Sequence, residues 1–319
     1  MVGIGPGSAA DRTRRAEAAI AASEVVVGYA KYLAHVQDLC AGKELVSSGM
    51  KEEVERCRQA LDLAQAGRVV SLISSGDAGV YGMAGLAIEL ASDAGILVAA
   101  ATVPPSCSRD ADVSSACGEG VSPASLAVSS SSSSSAAAAA SASFNQQQQD
   151  RAETALEHMG KMPMPHADAD KMSATQHAVE IEIVPGVTAA SAAAARMGAP
   201  LMLDFAVISL SDLLVPWNTI RRRVEAVAAA DMVLALYNPR STKRVRQLEE
   251  TVEILLHHRA DSTPVGIGRA VGSEDEHIQI TTLGRLLGER VDMRTVLIVG
   301  NSMSRSLDGW FITSRGYPI

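Results

Sequence analysis

Aromatic residues, basic charge and cysteines are scarce in this sequence, and each shortage excludes a class of protein. Phe, Trp and Tyr make up 3% of the 319 residues, so the core indicated by 47% hydrophobic residues must be aliphatic and rich in alanine. The formal net charge of −8 argues against a general nucleic-acid binder, which normally has a basic excess. An acidic total still allows a local basic pocket for an acidic small molecule.

Long apolar segments and paired cysteines are also missing. No apolar run approaches the roughly 20 residues of a transmembrane helix, and the N-terminus lacks the basic-then-apolar pattern of a secretory signal. The four cysteines form no CxxC pair and have no metal-ligand spacing; they are Cys40, Cys57, Cys107 and Cys117. We therefore expect free thiols, a cytoplasmic protein, no membrane contact and no bound metal.

The sequence instead repeats an order of strand, glycine-rich turn and helix, which is typical of an α/β fold with parallel strands. In the first part, hydrophobic periodicity predicts strands at 25–28, 68–74 and 179–184, and helices at 11–23, 51–65, 80–92 and 188–197. Residues 1–7 look like the end of a buried strand that runs into a glycine-rich turn, although little of the strand is present.

A second α/β unit begins near Asp204, so we predict an N-terminal domain of residues 1–202 and a C-terminal domain of residues 203–319. Pro216 suits the first position of a helix. Strands are predicted at 205–210, 232–236, 265–270, 278–282 and 295–299, and a further helix at 243–258.

Low-complexity sequence interrupts the first domain from about 95 to 177. It contains runs of serine, alanine and glutamine, which cannot bury enough apolar surface to offset chain entropy. We therefore expect a largely disordered insertion at a surface loop, which costs little stability.

Loops rich in Gly, Pro or Asn follow five predicted strands. They are GIGPG at 3–7, SSGDAGVYGM at 74–83, PGVTA at 185–189, YNPRS at 237–241 and GNS at 300–302. Ligands of open α/β sheets bind outside the carboxyl ends of strands, and loops with few ionisable groups suit a ligand held by backbone groups and apolar walls. Ser8 replaces the third glycine of a dinucleotide fingerprint, and GIGPG alone could be a tight surface turn.

Taken together, these loops resemble the tetrapyrrole methylases, and in particular the branch that methylates precorrin-3B at C-17. The resemblance covers the chain outside about 95–177. The residues that carry it are GIGPG, SSGDAGVYGM, PGVTA, GAPLMLDFAVISLSDLLVPW, YNPRS, TTL, VGNS and the closing TSRGY.

The resemblance implies a fold of two α/β domains with S-adenosylmethionine bound in the cleft between them, in a homodimer. It implies methylation of precorrin-3B at C-17 with contraction of the macrocycle, which leaves the former C-20 bridge carbon as an acetyl group. A relative in the anaerobic pathway of cobalamin biosynthesis acts on the cobalt-bearing substrate.

The family's loops also imply which residues contact the cofactor: Gly5, Pro6, Gly76, Asp77, Val80, Thr188, Ala189, Tyr237 and Asn238. Asp77 could instead be the N-cap of the following helix.

Precorrin carries many carboxylates, so its pocket should offer arginine, which grips a carboxylate with two hydrogen bonds. Our candidates are Arg240, Arg269 and Arg315, each of which could equally form a surface ion pair. Trp217 could stack on the macrocycle or pack in the core. For the proton movements of ring contraction we single out Asp204, Ser209 and Asp212, near Ser211; Asp212 could also cap a helix.

Four departures from the family's pattern stand out, and the last two could alter catalysis or substrate grip. Family members usually have several more apolar residues before GIGPG, so the first strand is expected to be truncated here. Ala78 stands where the loop commonly has Pro, Leu203 where we expect His, and Ser273 where we expect Arg. Two alternatives therefore stay open. One is an enzyme of the same fold with a protein or RNA acceptor, such as a diphthine synthase or a ribosomal-RNA methylase. The other is a cofactor-binding protein without turnover.

Overall fold

The computed structural model describes residues 1–96, 98–100 and 178–318, all of which belong to one compact unit. Most of the low-complexity insertion, which we predicted to be disordered, lies outside these residues. Its first residues are described, and they include a strand at Val98–Ala100. The described strands are β1 Val2–Gly3, β2 Val25–Tyr29, β3 Glu44–Ser48, β4 Val70–Ser74, β5 Val98–Ala100, β6 Val179–Ile181, β7 Gly198–Ala199, β8 Phe205–Ser209, β9 Val233–Tyr237, β10 Pro264–Arg269, β11 His277–Thr282, β12 Thr295–Val299, β13 Ser304–Leu307 and β14 Trp310–Thr313.

The α-helices of the described residues are α1 Arg14–Ala22, α2 Ala30–Ala34, α3 Glu53–Gln65, α4 Ala84–Asp93, α5 Ala189–Met197, α6 Trp217–Ala229 and α7 Arg246–His258, and short 3-10 turns lie at Ala9–Asp11, Gln37–Leu39 and Leu283–Gly288. The start of α1 shows why the sequence turns helical there. Thr13 has an extended backbone, and its hydroxyl accepts a hydrogen bond from the Ala16 N–H. This satisfies one of the amides that a helix start leaves unpaired.

The first sheet has the strand order β1-β4-β2-β3, and all of its pairs are parallel. Helices α1 and α2 cover one face, where Ile20 packs with Val26 and Ile73. Helices α3 and α4 cover the other face, where Cys57 packs with Val27. Each fully buried aliphatic side chain of this kind stabilises the fold by about 1.5–3 kcal/mol.

The second sheet has the order β11-β10-β12-β9-β8 and is mixed rather than parallel. Strands β8 and β9 are parallel, but β12 is antiparallel to both β9 and β10. Helices α6 and α7 pack on one face through residues such as Val224 and Leu255. Helix α5 packs on the opposite face, where Ala193 and Met197 meet Val233 and Ile298.

Most predicted elements are present, with shifted ends. Helix α4 begins at Ala84 rather than near residue 80, and Pro216 is the N-cap of α6 rather than its first residue. Strand β3 was not predicted, because it is a partly exposed edge strand without an apolar run. Among the described residues, no helix is long and apolar enough to cross a membrane.

The division into two domains at residue 202 stays a prediction. Helix α5 and strand β7 precede that boundary in the chain, yet α5 packs on the second sheet and β7 pairs with β14 near the C-terminus. The packing therefore favours a change of sheet just before α5, near Thr188.

Candidate functional site

The loops that follow β1, β4 and β6 meet backbone to backbone. Gly5 and Gly76 exchange hydrogen bonds, with the Gly5 N–H donating at 3.1 Å and the Gly76 N–H at 2.7 Å. The Gly3 N–H donates to the Val184 carbonyl at 2.9 Å. Three of the five predicted loops thus meet at the carboxyl ends of the strands of the first sheet, as the sequence predicted.

This close approach depends on glycine. Gly5 and Gly76 have φ angles of +78° and +66°, which residues other than glycine rarely adopt. A Cβ on Gly186 would lie 2.6 Å from both the carbonyl carbon and oxygen of Gly3, and it would also collide with the Gly76 oxygen. The junction leaves no space for a side chain.

Asp77 ties two of these loops together. Its carboxylate accepts hydrogen bonds from the Gly79 N–H at 2.8 Å and the Gly186 N–H at 3.0 Å. Met83, not Asp77, is the N-cap of α4, so the capping alternative is wrong. Because an ionised carboxylate has about four acceptor positions, Asp77 keeps capacity for a further donor.

Tyr237 and Asn238, at the end of β9, lie beside the start of α5. The Tyr237 hydroxyl accepts from the Ala190 N–H at 2.9 Å and forms a short hydrogen bond with the Thr188 hydroxyl. The Asn238 amide donates to Ser209 Oγ at 3.1 Å. The second sheet therefore contributes the YNPRS loop to the same site.

Residues 270–273, after β10, also reach the site, although the sequence analysis placed no ligand loop there and noted only Ser273. A Cβ on Gly7 would lie 2.9 Å from the Gly272 carbonyl oxygen, and Pro6 lies against Gly272. The Ser273 hydroxyl donates to the Ala270 carbonyl and accepts from Arg294, so the position where we expected Arg is reached by the guanidinium of a neighbouring segment.

The predicted fifth loop, GNS, is not part of this site, so its assignment is wrong. Because β12 runs antiparallel to β9, residues 300–302 lie beside the first residues of β9. Tyr237 lies at the other end of that strand. There the Asn301 amide donates to the Asp231 carbonyl, and the Ser302 hydroxyl donates to the Asp231 carboxylate. The loop anchors the C-terminal hairpin.

The three candidate arginines separate into two groups. Arg240 follows Asn238, and Arg269 ends β10 at the same edge; both are partly buried, and Arg269 Nε has no hydrogen-bond partner among the described residues. Arg315 is exposed beyond β14, next to Ser314, whose N–H donates to the Met303 carbonyl near the start of β10. Because each residue of a strand advances by about 3.3 Å, the start of β10 lies about 16 Å from Arg269 at its end.

Arg244, which is not one of these three candidates, donates to the Asn238 carbonyl at 2.8 Å. It thereby fixes the backbone of the YNPRS loop. The sequence predicted a helix from residue 243 and gave no signal for this contact. In the structure Arg244 lies two residues before α7, in a loop that folds back on itself through the Ser241 hydroxyl.

The predicted proton-transfer residues do not form a cluster. Asp204 precedes β8, whereas Ser209 is its last residue and lies beside Asn238, so the two lie at opposite ends of the strand. Asp212 is exposed and accepts from the Gln247 amide at 2.8 Å. Of the three, only Ser209 lies at the candidate site.

Trp217 is accounted for by packing. Its ring contacts the core between the second sheet and helices α6 and α7, and its indole N–H donates to Glu250 at 2.7 Å. These contacts support the packing alternative rather than stacking on a macrocycle.

The site is an open meeting of loops with no metal-ligand cluster. No group of three or more His, Cys, Asp or Glu side chains lies close enough to hold a metal ion in the part of the chain that the structure describes. Cavities of about 350 and 400 Å³ lie elsewhere, one beside Met197 and Ile280 and one beside Leu201 and Phe205, and they include none of the predicted site residues.

Comparison with known proteins gives a consistent result. Residues 1–108 and 169–287 match the family described as Tetrapyrrole (Corrin/Porphyrin) Methylases. A probable cobalt-factor III C(17)-methyltransferase of Salmonella typhimurium is 36% identical over 319 residues, which cover 100% of this chain and 99% of the relative. A precorrin-3B C(17)-methyltransferase of Sinorhizobium sp. is 33% identical over 97% of this chain and 90% of the relative. A cobalt-factor III methyltransferase of Priestia megaterium is 34% identical over 99% of this chain but only 44% of its own length.

Solved structures agree with this comparison. The crystal structure of the methyltransferase CobJ superposes with a TM-score of 0.68 at 28% identity, over 98% of both chains. A uroporphyrin-III C-methyltransferase from Thermus thermophilus, complexed with S-adenyl homocysteine, has a TM-score of 0.53 at 18% identity over 94% of this chain and 95% of that one. The latter likeness concerns the fold alone.

Proposed function

Because the chain belongs to the tetrapyrrole (corrin/porphyrin) methylases, we propose that it transfers a methyl group from S-adenosylmethionine to C-17 of precorrin-3B or its cobalt-bearing counterpart, with ring contraction, in corrin biosynthesis. The observation that carries this proposal is the end-to-end likeness to C(17)-methyltransferases, combined with loops of both sheets that meet at one site.

The residues present fit S-adenosylmethionine. Gly5 and Gly76 are buried and exchange backbone hydrogen bonds, so they shape the floor of the proposed site. Thr188 and Tyr237 supply hydroxyls, and Asp77 retains acceptor capacity near a cationic ligand. Val80, which is 40% exposed, offers an apolar wall. Pro6, Ala189 and Asn238 complete the proposed contacts from the same loops.

When bound, S-adenosylmethionine supplies an activated methyl group on a sulfonium, so the protein's own task is alignment and exclusion of water. We propose that Arg240 and Arg269 bind the carboxylates of the acceptor, because both lie at the same end of the second sheet's strands as Tyr237. Ser209 is the proton-transfer candidate that lies at this edge, and its hydroxyl is already oriented by the Asn238 amide.

We also propose that the protein works as a homodimer, as the family resemblance implies, and that it does so in the cytoplasm, where its cysteines would stay reduced. Sedimentation of the purified protein tests the dimer. A single species with the mass of one chain would contradict it.

The test of the function has two stages, which separate an enzyme from a binding protein. Calorimetry with S-adenosylhomocysteine measures the cofactor site. Incubation with labelled S-adenosylmethionine and either precorrin-3B or its cobalt form then measures transfer. Binding without transfer to either acceptor would favour the protein without turnover, and absence of binding would overturn the cofactor assignment.

A further inference from the structure

Tyr81 has an unusual backbone for an aromatic residue. Its φ of +53° lies in the left-handed region, although its side chain is bulky and 56% exposed. Such a conformation costs of order 1–3 kcal/mol and persists only where the surrounding contacts impose it. The contacts that Tyr81 makes therefore require an explanation.

The first contact is with β8, which is an edge strand of the second sheet in the part of the chain that the structure describes. Strand β8 is the last strand of that sheet, and the Tyr81 hydroxyl donates to its Val207 carbonyl at 3.2 Å. The Ser209 backbone N–H faces the same hydroxyl and lowers its pKa. In a parallel ladder, this carbonyl and this N–H are the groups that a further strand would pair with. Tyr81 occupies the place of that strand with a single phenol.

The second contact is with the candidate site. The rings of Tyr81 and Tyr237 lie 5.3 Å apart between centroids and are tilted by 52°. Tyr237 in turn holds the Thr188 hydroxyl and the Ala190 N–H. A continuous set of contacts thus runs from the SSGDAGVYGM loop, through Tyr81 and Tyr237, to the start of α5.

Burial raises the pKa of the Tyr81 phenol, although the Ser209 N–H opposes the shift. The Tyr237 hydroxyl raises it further, and the Arg223 charge lowers it. Since the net direction is upward from an ordinary value of about 10, the hydroxyl keeps its proton at neutral pH and remains a donor to Val207.

We propose that Tyr81 is a positioning residue that braces the first sheet's loop against strand β8 and fixes the ring of Tyr237. It thereby sets the orientation of the Thr188 and Tyr237 hydroxyls toward the methyl donor. This inference rests on the proposed donor site, but the brace itself is a property of the protein without ligand.

Two variants of Tyr81 separate the contacts. Tyr81→Phe keeps the ring and removes the hydroxyl, so amide exchange at Ser209 should rise and affinity for S-adenosylhomocysteine should fall about threefold to tenfold, the usual effect of one hydrogen bond. Tyr81→Gly removes the ring and relieves the backbone. Exchange at Ala190 should then rise as well, and affinity should fall by more than tenfold without a lower unfolding temperature.

Lys51→Gly is the matched control. Lys51 also has a positive φ, of 70°, but it is exposed and lies between β3 and α3, in a loop that contributes none of the proposed contacts. This variant should leave affinity unchanged. Combining Tyr81→Gly with Tyr237→Phe should weaken binding less than the sum of the two single effects, because both changes break the same set of contacts.

The outcomes distinguish this inference from the proposed function. If the wild-type protein binds S-adenosylhomocysteine and Tyr81→Gly binds it equally well with unchanged exchange at Ala190, Tyr81 is not a positioning residue. If the wild-type protein does not bind, the donor site is wrong, and exchange at Ser209 and Ala190 in the ligand-free variants alone decides whether Tyr81 braces the loops.

Discussion

Adding one methyl group at Gly186 tests whether the close meeting of three loops supports both the fold and the site. Gly186 does not have a positive φ, so its backbone accepts alanine and only the available space opposes the change. The new Cβ would lie 2.6 Å from two Gly3 backbone atoms and would collide with the Gly76 oxygen. None of these atoms can rotate away as a side chain would.

The expected cost follows from what must move. Overpacking alone costs about 1–3 kcal/mol. Separating the loops also weakens the bond from Gly186 to the Asp77 carboxylate and the bond from Gly5 to Gly76, each worth roughly 1 kcal/mol. We expect Gly186→Ala to lower the free energy of unfolding by about 3 kcal/mol, which is about 6–12 °C in melting temperature.

Gly85→Ala is the matched control for this experiment. Gly85 is exposed within α4, and a Cβ there would meet nothing within 4 Å. Alanine should stabilise the helix by up to about 1 kcal/mol. Denaturant unfolding and calorimetry with S-adenosylhomocysteine are measured on both variants. If Gly186→Ala matches the wild type in stability and affinity, the loop junction described here is wrong.

Three further outcomes are expected. Arg240→Ala should weaken tetrapyrrole binding tenfold to a hundredfold without changing donor affinity, whereas Arg315→Ala, at the opposite edge, should leave both unchanged; equal losses in titrations of the two variants would contradict our placement. Burial raises the pKa of Cys57 to about 11, so labelling of Cys57 at pH 8, located by peptide mapping, should follow global unfolding. Stability should fall as pH rises from about 9 toward 11, since the unfolded thiol loses its proton first; rapid labelling of Cys57 itself in the native protein would refute this. Replacing residues 104–175 by a six-residue Gly-Ser linker, which retains β5, should raise stability by about 1.5 kcal/mol through loop shortening, and a lower melting temperature would show that the segment packs on the core.

The sequence predicted the loops better than it predicted their places. Apolar runs followed by Gly, Pro or Asn revealed the ends of β1, β4 and β9, because these signals are local. The error at 300–302 has a different origin. Whether β12 runs parallel or antiparallel to β9 depends on pairing between distant segments, and no local pattern at Asn301 reports that direction.

Side-chain groupings failed for the same reason. Asp204 and Ser209 are close in sequence but lie at opposite ends of β8, because the extended backbone of a strand separates its two ends. Conversely, Tyr81 and Tyr237 are far apart in sequence and lie ring to ring. A positive φ at a tyrosine has no signal in the sequence, so the contacts of Tyr81 could only be found in the structure.

The most direct test of the proposed function is the fate of the methyl group. The protein is incubated with carbon-13-labelled S-adenosylmethionine and with precorrin-3B or its cobalt-bearing form, and the product is examined by NMR. The account predicts a labelled methyl group on C-17 and an acetyl group formed from the former bridge carbon. A protein that binds the donor yet leaves both acceptors unmethylated, or that places the label at another carbon, would contradict it.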